Sequence, residues 1–140
     1  MTDNAQGPVT GLTPHLQIGD SRGAEAIAFY TAAFGAVEQA RMLADDGKRL
    51  MHAHLIINGA SLMLHDEFPE HADPEHADSG PPRGVTLHLQ VDDADAWFAR
   101  AVAAGADARM PLADQFWGDR YGQVVDPFGH SWGIGAEIKA

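Results

Sequence analysis

The sequence predicts an α+β fold made of two copies of a βαβββ module. The first observation is a repeated start, "HLQIGD" from His15 and "HLQVDD" from His88. The second is that an alanine-rich segment with helical spacing follows each start, from Ala24 and from Ala94. Strand-like segments separated by turn residues follow each of these helices. Internal repetition of this kind indicates duplication of one supersecondary unit.

The first module is predicted to run strand, helix and three strands. The segment "TPHLQI" alternates, which places His15 and Gln17 on one face of the first strand. Gly35 is expected to end the helix in a left-handed cap. The segments "DDG" at 45–47 and "NG" at 58–59 favour hairpin turns, because Asn and Gly tolerate positive φ. The three later strands are predicted over 36–43, 48–57 and 60–65.

The second module repeats this order. The segment "VTLHLQV" places His88 and Gln90 on one face of its first strand. Asp92 or Asp93 is expected to cap the helix at its start, and Gly105 to end it in a left-handed cap. "DPFG" at 126–129 suits a type I turn. The later strands are predicted over 106–111, 119–126 and 130–137. One apolar stripe is expected on the helix, formed by Ala94, Trp97, Phe98, Ala101 and Val102.

The chain of 140 residues has the length of one domain. Module one is expected at about 12–66 and module two at about 84–138. The segment between them, about 67–83, is rich in Pro, Asp, Glu and His, and this composition is typical of an exposed linker.

Composition excludes several classes of function. A net charge of −11 disfavours nucleic acids and anionic membranes as partners. The chain has no cysteine, which excludes disulfides and thiol catalysis and is compatible with a reducing compartment. The first residues lack the pattern of a signal peptide, and no apolar run reaches the roughly 18 residues of a membrane helix. We therefore expect a cytoplasmic protein.

Several motifs together resemble the vicinal oxygen chelate superfamily, which includes glyoxalase I, extradiol dioxygenases, and fosfomycin and bleomycin resistance proteins. The segments "LTPHL", "LMLHDEFPEH" and "MPLADQFWGDRYGQVVDPFGHSW" are similar to its PhnB-like branch. The resemblance implies that each module curls into a half-barrel and that paired half-barrels enclose a cavity, often across a homodimer. It thereby implies a small-molecule ligand and a homodimer.

The resemblance also implies where a metal would be bound. Metal-dependent members place a histidine on the first strand of each module and an acidic residue on the last strand. Here His15 and His88 match the first-strand positions, whereas Met63 and Gly133 take the last-strand positions. A catalytic zinc site normally has about three protein ligands, so two imidazoles make a weak site. No tightly bound metal is predicted, although His15 and His88 would be ligands if a divalent metal binds.

Glu137, His52 and His54 are alternatives to the missing acidic ligand. Glu137 lies on the same strand face as Gly133, but four residues at about 3.3 Å each place it about 13 Å away. His52 and His54 share a face of the third strand and are a second alternative.

Seven side chains are predicted to contact a ligand, and none is assigned a catalytic role. Histidine exchanges protons near neutral pH, and aromatic rings offer stacking and apolar contact to a small molecule. The alternative is that the histidines are hydrogen-bonded interior residues and that the aromatic rings pack in the core or at a dimer interface. The seven residues are His15, His88, Gln90, Phe116, Trp117, Tyr121 and Trp132.

Three hypotheses of function follow. The favoured one is a small-molecule-binding protein with a histidine-lined barrel cavity, with acid–base activity left open. The alternative is a metal-dependent enzyme, either a glyoxalase-like lyase or isomerase or a dioxygenase, in which a metal polarises substrate oxygens. The third is a non-catalytic dimer whose cavity is closed.

Overall fold

The computed structural model describes residues 6–71 and 82–139. It confirms the α+β fold with two βαβββ modules, each with one helix and one four-stranded mixed sheet. The chain divides into two compact units, one of 1–31 with 35–78 and one of 32–34 with 79–140. Most of the expected linker, 72–81, lies outside the described residues, and a short 3-10 helix, Pro69–His71, precedes it.

The first unit contains the sheet with strand order β1-β4-β3-β2. β1 runs parallel to β4, and the other neighbours are antiparallel. This arrangement matches the predicted order, with strand ends shifted by one or two residues. The elements are β1 (His15–Ile18), α1 (Gly23–Phe34), β2 (Val37–Leu43), β3 (Leu50–Ile57) and β4 (Ala60–Asp66).

Two local predictions for this unit are confirmed. Gly35 ends α1 in the left-handed conformation, with φ 68° and ψ 29°. Asn58 and Gly59 both have positive φ, 50° and 81°, and they join β3 to β4 in a tight hairpin. Paired positive φ angles are the requirement that makes Asn-Gly the preferred sequence of such turns.

The start of α1 is held by a side chain from a distant strand. Arg22, the residue before the helix, makes no side-chain cap hydrogen bond. Instead, the fully buried carboxylate of Asp66 accepts hydrogen bonds from Gly23 N and Leu50 N, both at 2.7 Å. A Cβ atom on Gly23 would lie 2.6 Å from Asp66 Oδ2, so the approach requires glycine at this position. Asp66 therefore joins α1, β3 and β4.

The second unit contains the sheet with strand order β5-β8-β7-β6. β5 runs parallel to β8, and the remaining pairs are antiparallel. The sheet thus repeats the topology of the first unit. The elements are β5 (Thr86–Gln90), α2 (Ala94–Ala104), β6 (Asp107–Asp114), β7 (Asp119–Val125) and β8 (Ser131–Glu137).

The predicted cap is confirmed at the start of α2, whereas the end of α2 differs from the prediction. Asp93 caps the start, because its side chain accepts from Ala96 N at 3.1 Å. Gly105 follows the helix with φ 124° and ψ 5°, so the predicted left-handed cap is wrong here. Its N–H bonds to the carbonyl of Val102 at 3.0 Å, a bond that tightens the last turn. Positive φ is still needed, which explains a glycine at this position.

Each sheet has one apolar face and one polar face. In the second unit Leu89, Val124, Trp132 and Ile134 are buried on the apolar face. In the first unit Leu16, Ile18, Leu55, Leu62 and Leu64 are buried in the same way. The polar side chains that alternate with them point to the opposite faces, which is where the candidate residues His15, His88 and Gln90 lie. Among the described residues, no helix has the length and apolar character that a membrane span requires.

Candidate functional site

The polar face of the second sheet is formed where β5, β8 and β7 run side by side. The register aligns His88 with Gly133 and Gln90 with Gly135 across the parallel pair. The antiparallel pairing of β8 with β7 extends each of these two pairs by one residue of β7, which gives two rows of three residues across the sheet. The first row is His88, Gly133 and Gln123, and the second row is Gln90, Gly135 and Tyr121.

Four of the predicted ligand residues meet on this face. The His88 ring stacks on the Tyr121 ring, with centroids 5.8 Å apart and an interplanar angle of 19°. The indole of Trp117 meets Tyr121 at 5.7 Å with an interplanar angle of 64°. His88 Nε2 lies 2.7 Å from Gln90 Oε1. Because an amide oxygen only accepts, His88 Nε2 is the donor, which leaves Nδ1 as the acceptor of a neutral ring.

The Tyr121 phenol lies directly over Gly133. A Cβ atom at position 133 would be 2.6 Å from the hydroxyl oxygen and 3.0 Å from Cε1, so any larger residue would displace the ring. Gln123 Nε2 donates to the same hydroxyl at 3.0 Å. The position at which metal-dependent members are expected to place an acidic residue is therefore covered by a phenol. Gly135 has a similar role, since its Cβ would lie 3.1 Å from His88 Cε1.

The other two predicted aromatic residues lie elsewhere in this unit. Phe116 is 96% exposed, in the turn between β6 and β7, and its ring touches Trp117 at a centroid distance of 5.1 Å. Trp132 is 3% exposed on the apolar face and donates from Nε1 to Asp126 Oδ2 at 2.9 Å. Phe116 thus borders the polar face, whereas Trp132 lies on the opposite side of the sheet.

His15 lies in the first unit, on the polar face of that sheet. β1 aligns it with Met63, and its ring meets His65 at 4.8 Å and His52 at 6.2 Å, both edge to face. Partial burial and the neighbouring imidazoles of His65 and His52 lower the pKa of His15 below its ordinary value. A lowered pKa keeps this imidazole neutral over more of the physiological pH range.

The rings around His15 are anchored by the backbone. His65 Nδ1 lies 2.8 Å from the carbonyl oxygen of Asp66, and His52 Nε2 bonds to the carbonyl oxygen of Gln6. His54 is fully buried on the same strand as His52 and bonds to Ser61 Oγ at 2.8 Å. His54 is therefore a satisfied interior histidine.

Three residues on these faces, Gln123, His65 and His52, were not predicted from the sequence to contact the candidate site residues. Gln123 lies two residues after Tyr121, and His65 lies two residues after Met63. Period-two alternation would have placed both on the correct face. His52 was considered only as a substitute metal ligand, and the structure places its ring beside His15.

The side chains at the expected metal positions do not make up a donor set for a divalent metal. Met63 and Gly133 align with His15 and His88, and neither offers a carboxylate. Across 6–71 and 82–139, no three His, Cys, Asp or Glu side chains are grouped so that they could hold a metal ion. We therefore derive no chemical step through a metal.

Comparison with known proteins identifies the family. A sequence model described as "Glyoxalase/Bleomycin resistance protein/Dioxygenase superfamily" matches residues 13–134. The chain belongs to this superfamily. The expected resemblance to the vicinal oxygen chelate proteins is thereby confirmed. Residues 13–134 include every strand and helix of both modules except the last three residues of β8.

Relatives of this superfamily cover nearly the whole chain. An uncharacterised Mycobacterium bovis protein is 48% identical over 132 residues, which is 91% of this chain and 84% of that protein. The crystal structure of an Arabidopsis thaliana gene product has a TM-score of 0.70 at 30% identity and covers 91% of this chain and 98% of that chain. A Bacillus cereus PhnB protein has a TM-score of 0.69 at 19% identity, covering 91% and 99% respectively. This last likeness is one of fold alone.

Proposed function

We propose that this protein binds a small, flat, largely apolar molecule on the polar face of the second sheet, without a tightly held metal. The observation that carries the proposal is the convergence of His88, Gln90, Trp117 and Tyr121 within ring-contact and hydrogen-bond distance. Flat aromatic rings provide stacking and apolar contact, and a few placed polar groups fix the orientation of a ligand.

Exposure and charge narrow the class of ligand. His88 and Gln90 are exposed and Trp117 is 50% exposed, so a molecule reaches this face without displacing the core. A net charge of −11 repels anions at long range. A neutral or cationic compound with an aromatic system therefore fits the face better than a phosphate or a carboxylate.

The face also holds groups that exchange protons. An imidazole and a phenol are both established general acids and bases, and here the two rings are stacked. We propose that the protein also carries out acid–base catalysis on the small molecule that it binds at this face. The expected homodimer, histidine-lined barrel cavity and cytoplasmic location stay predictions.

Thermal unfolding in the presence of a compound library tests the proposal. A ligand that binds only the native state adds about 2.7 kcal/mol at 100 times its Kd. For a chain of 140 residues this corresponds to a rise of about 5–10 °C in Tm. We expect flat aromatic compounds to raise Tm, aliphatic compounds of equal size not to, and product analysis of the positive compounds to reveal any turnover.

Substitutions test whether the rise in Tm on adding a ligand depends on the polar face of the second sheet. Trp117→Ala and His88→Ala are expected to abolish most of the rise in Tm. Val102→Ala is the matched control, because Val102 is 40% exposed on α2. Rises in Tm that persist in both site variants would place the ligand elsewhere, and a library without any positive aromatic compound would remove the proposal.

A further inference from the structure

We infer that the Tyr121 hydroxyl is the group with which this face selects ligands, by donating a hydrogen bond to a neutral acceptor on a flat aromatic molecule. The inference rests on the proposed function, because it names the specificity of the same face. What singles out Tyr121 is its relation to Gly133 and Gln123, which are distant from each other and from His88 in the chain.

The position of the hydroxyl is defined from two sides. On the side of the sheet, the hydroxyl and Cε1 of Tyr121 fill the space left by the lack of a side chain at Gly133. A Cβ atom at position 133 would lie 2.6 Å from the hydroxyl oxygen and 3.0 Å from Cε1. From the side, Gln123 Nε2 lies 3.0 Å from the hydroxyl oxygen. A polar group held in this way loses little conformational freedom when a ligand binds, which favours affinity.

The direction of the hydroxyl proton follows from the chemistry of its partner. An amide NH₂ group only donates, so the bond from Gln123 uses the lone pair of the phenol oxygen and not its proton. Within 6–71 and 82–139 the structure gives the Tyr121 hydroxyl proton no acceptor. The phenol is therefore a donor ready for an acceptor atom that a ligand brings.

The surroundings of the hydroxyl determine which acceptor fits. His88 stacks on the Tyr121 ring, Trp117 meets it edge-on, and Gln123 bonds to its oxygen. None of these three side chains is a carboxylate or a guanidinium. A carbonyl oxygen or a ring nitrogen of a neutral aromatic molecule matches this set, because none of the three side chains offers a permanent positive charge to an anionic acceptor.

Quinoline and naphthalene form a matched pair of probes for this inference. They have nearly the same shape and area, and they differ by one ring nitrogen that accepts a hydrogen bond. The full-length protein is titrated at pH 8 into a fixed dilute concentration of each probe, and Kd is taken from the NMR line broadening of the probe. We expect the parent to bind quinoline about two- to tenfold more tightly than naphthalene, as one neutral hydrogen bond would give.

Two variants are expected to remove the preference for quinoline over naphthalene, each in a different way. Tyr121→Phe keeps the ring and removes the donor, so the ratio of the two Kd values is expected to fall to about one. Gly133→Ala is expected to lower the ratio as well, because its Cβ displaces the phenol. Tyr30→Phe, at the other tyrosine of the chain, and Gly19→Ala, where a Cβ meets nothing within 4 Å, are the controls. Both controls are expected to keep the parental ratio, and the Tm of every variant is measured alongside.

The possible results separate this inference from the function on which it rests. If the parent binds both probes without preference, or if Tyr121→Phe keeps the parental ratio, the selecting role of the hydroxyl is refuted while binding at this face stands. If Tyr121→Phe weakens both probes by the same factor, the residue acts through ring packing and the inference is also wrong. If the parent binds neither probe, the inference fails, while the proposed function is decided by the compound library.

Discussion

Replacing Asp66 with alanine should destabilise the first unit strongly. The carboxylate is fully buried and bonds to the backbone N–H groups of Gly23 and Leu50. Gly23 N is one of the N–H groups at the start of α1 that have no partner within the helix. In Asp66→Ala both N–H groups lose their partner while they remain inside the protein.

The magnitude follows from the number of orphaned groups. Each buried donor without a partner costs about 1–3 kcal/mol, so Asp66→Ala should lose about 2–6 kcal/mol of unfolding free energy. Asp66→Asn keeps one acceptor oxygen and turns an NH₂ group toward the other donor, so about half of that loss is expected. A small domain typically has an unfolding free energy of about 5–15 kcal/mol in total, so a loss of this size is readily measured by unfolding.

Urea unfolding of the parent and the variants measures these losses. Asp107→Ala is the matched control, since it removes an exposed carboxylate at the start of β6 and should change stability by less than about 0.5 kcal/mol. Hydrogen exchange adds a local readout, because the amides of Gly23 and Leu50 should lose protection in Asp66→Ala. A loss of stability no larger than that of Asp107→Ala, with both amides still protected, would refute the reasoning.

Two further predictions concern the histidines. Because the pKa of His15 is lower in the folded protein, the unfolded chain binds a proton at this residue first as the pH falls. The contribution of His15 to the free energy of unfolding is therefore intact above its ordinary pKa of 6.5. It declines as the pH drops through the lowered pKa of the folded protein. An NMR titration should place the His15 midpoint below 6.5 and show it rising in His65→Gln, and an unchanged midpoint would contradict the assigned cause. Elemental analysis of purified protein should find no stoichiometric nickel, zinc, manganese or iron; one metal per chain that disappears in His15→Ala and His88→Ala would support the metal-dependent alternative.

Much of the fold could be predicted because the signals are local. The Asn58–Gly59 turn and the Asp93 cap depend on residues within one turn of the chain, and both formed as expected. Strand alternation likewise placed His88 and Gln90 together correctly. The Gly105 cap shows the limit, since the tightened last turn of α2 gives a positive φ outside the left-handed region.

The sequence by itself determined the repeated modules, their elements and the side of each strand on which a residue lies, since these follow from periodicity and from the φ preferences of single residues. Only the tertiary structure decided which residues meet across strands. Tyr121 reaches His88, and His65 reaches His15, because strands remote in sequence pair in one register. Alternation gives the face of a strand but not its neighbours, which depend on pairing and packing over the whole sheet.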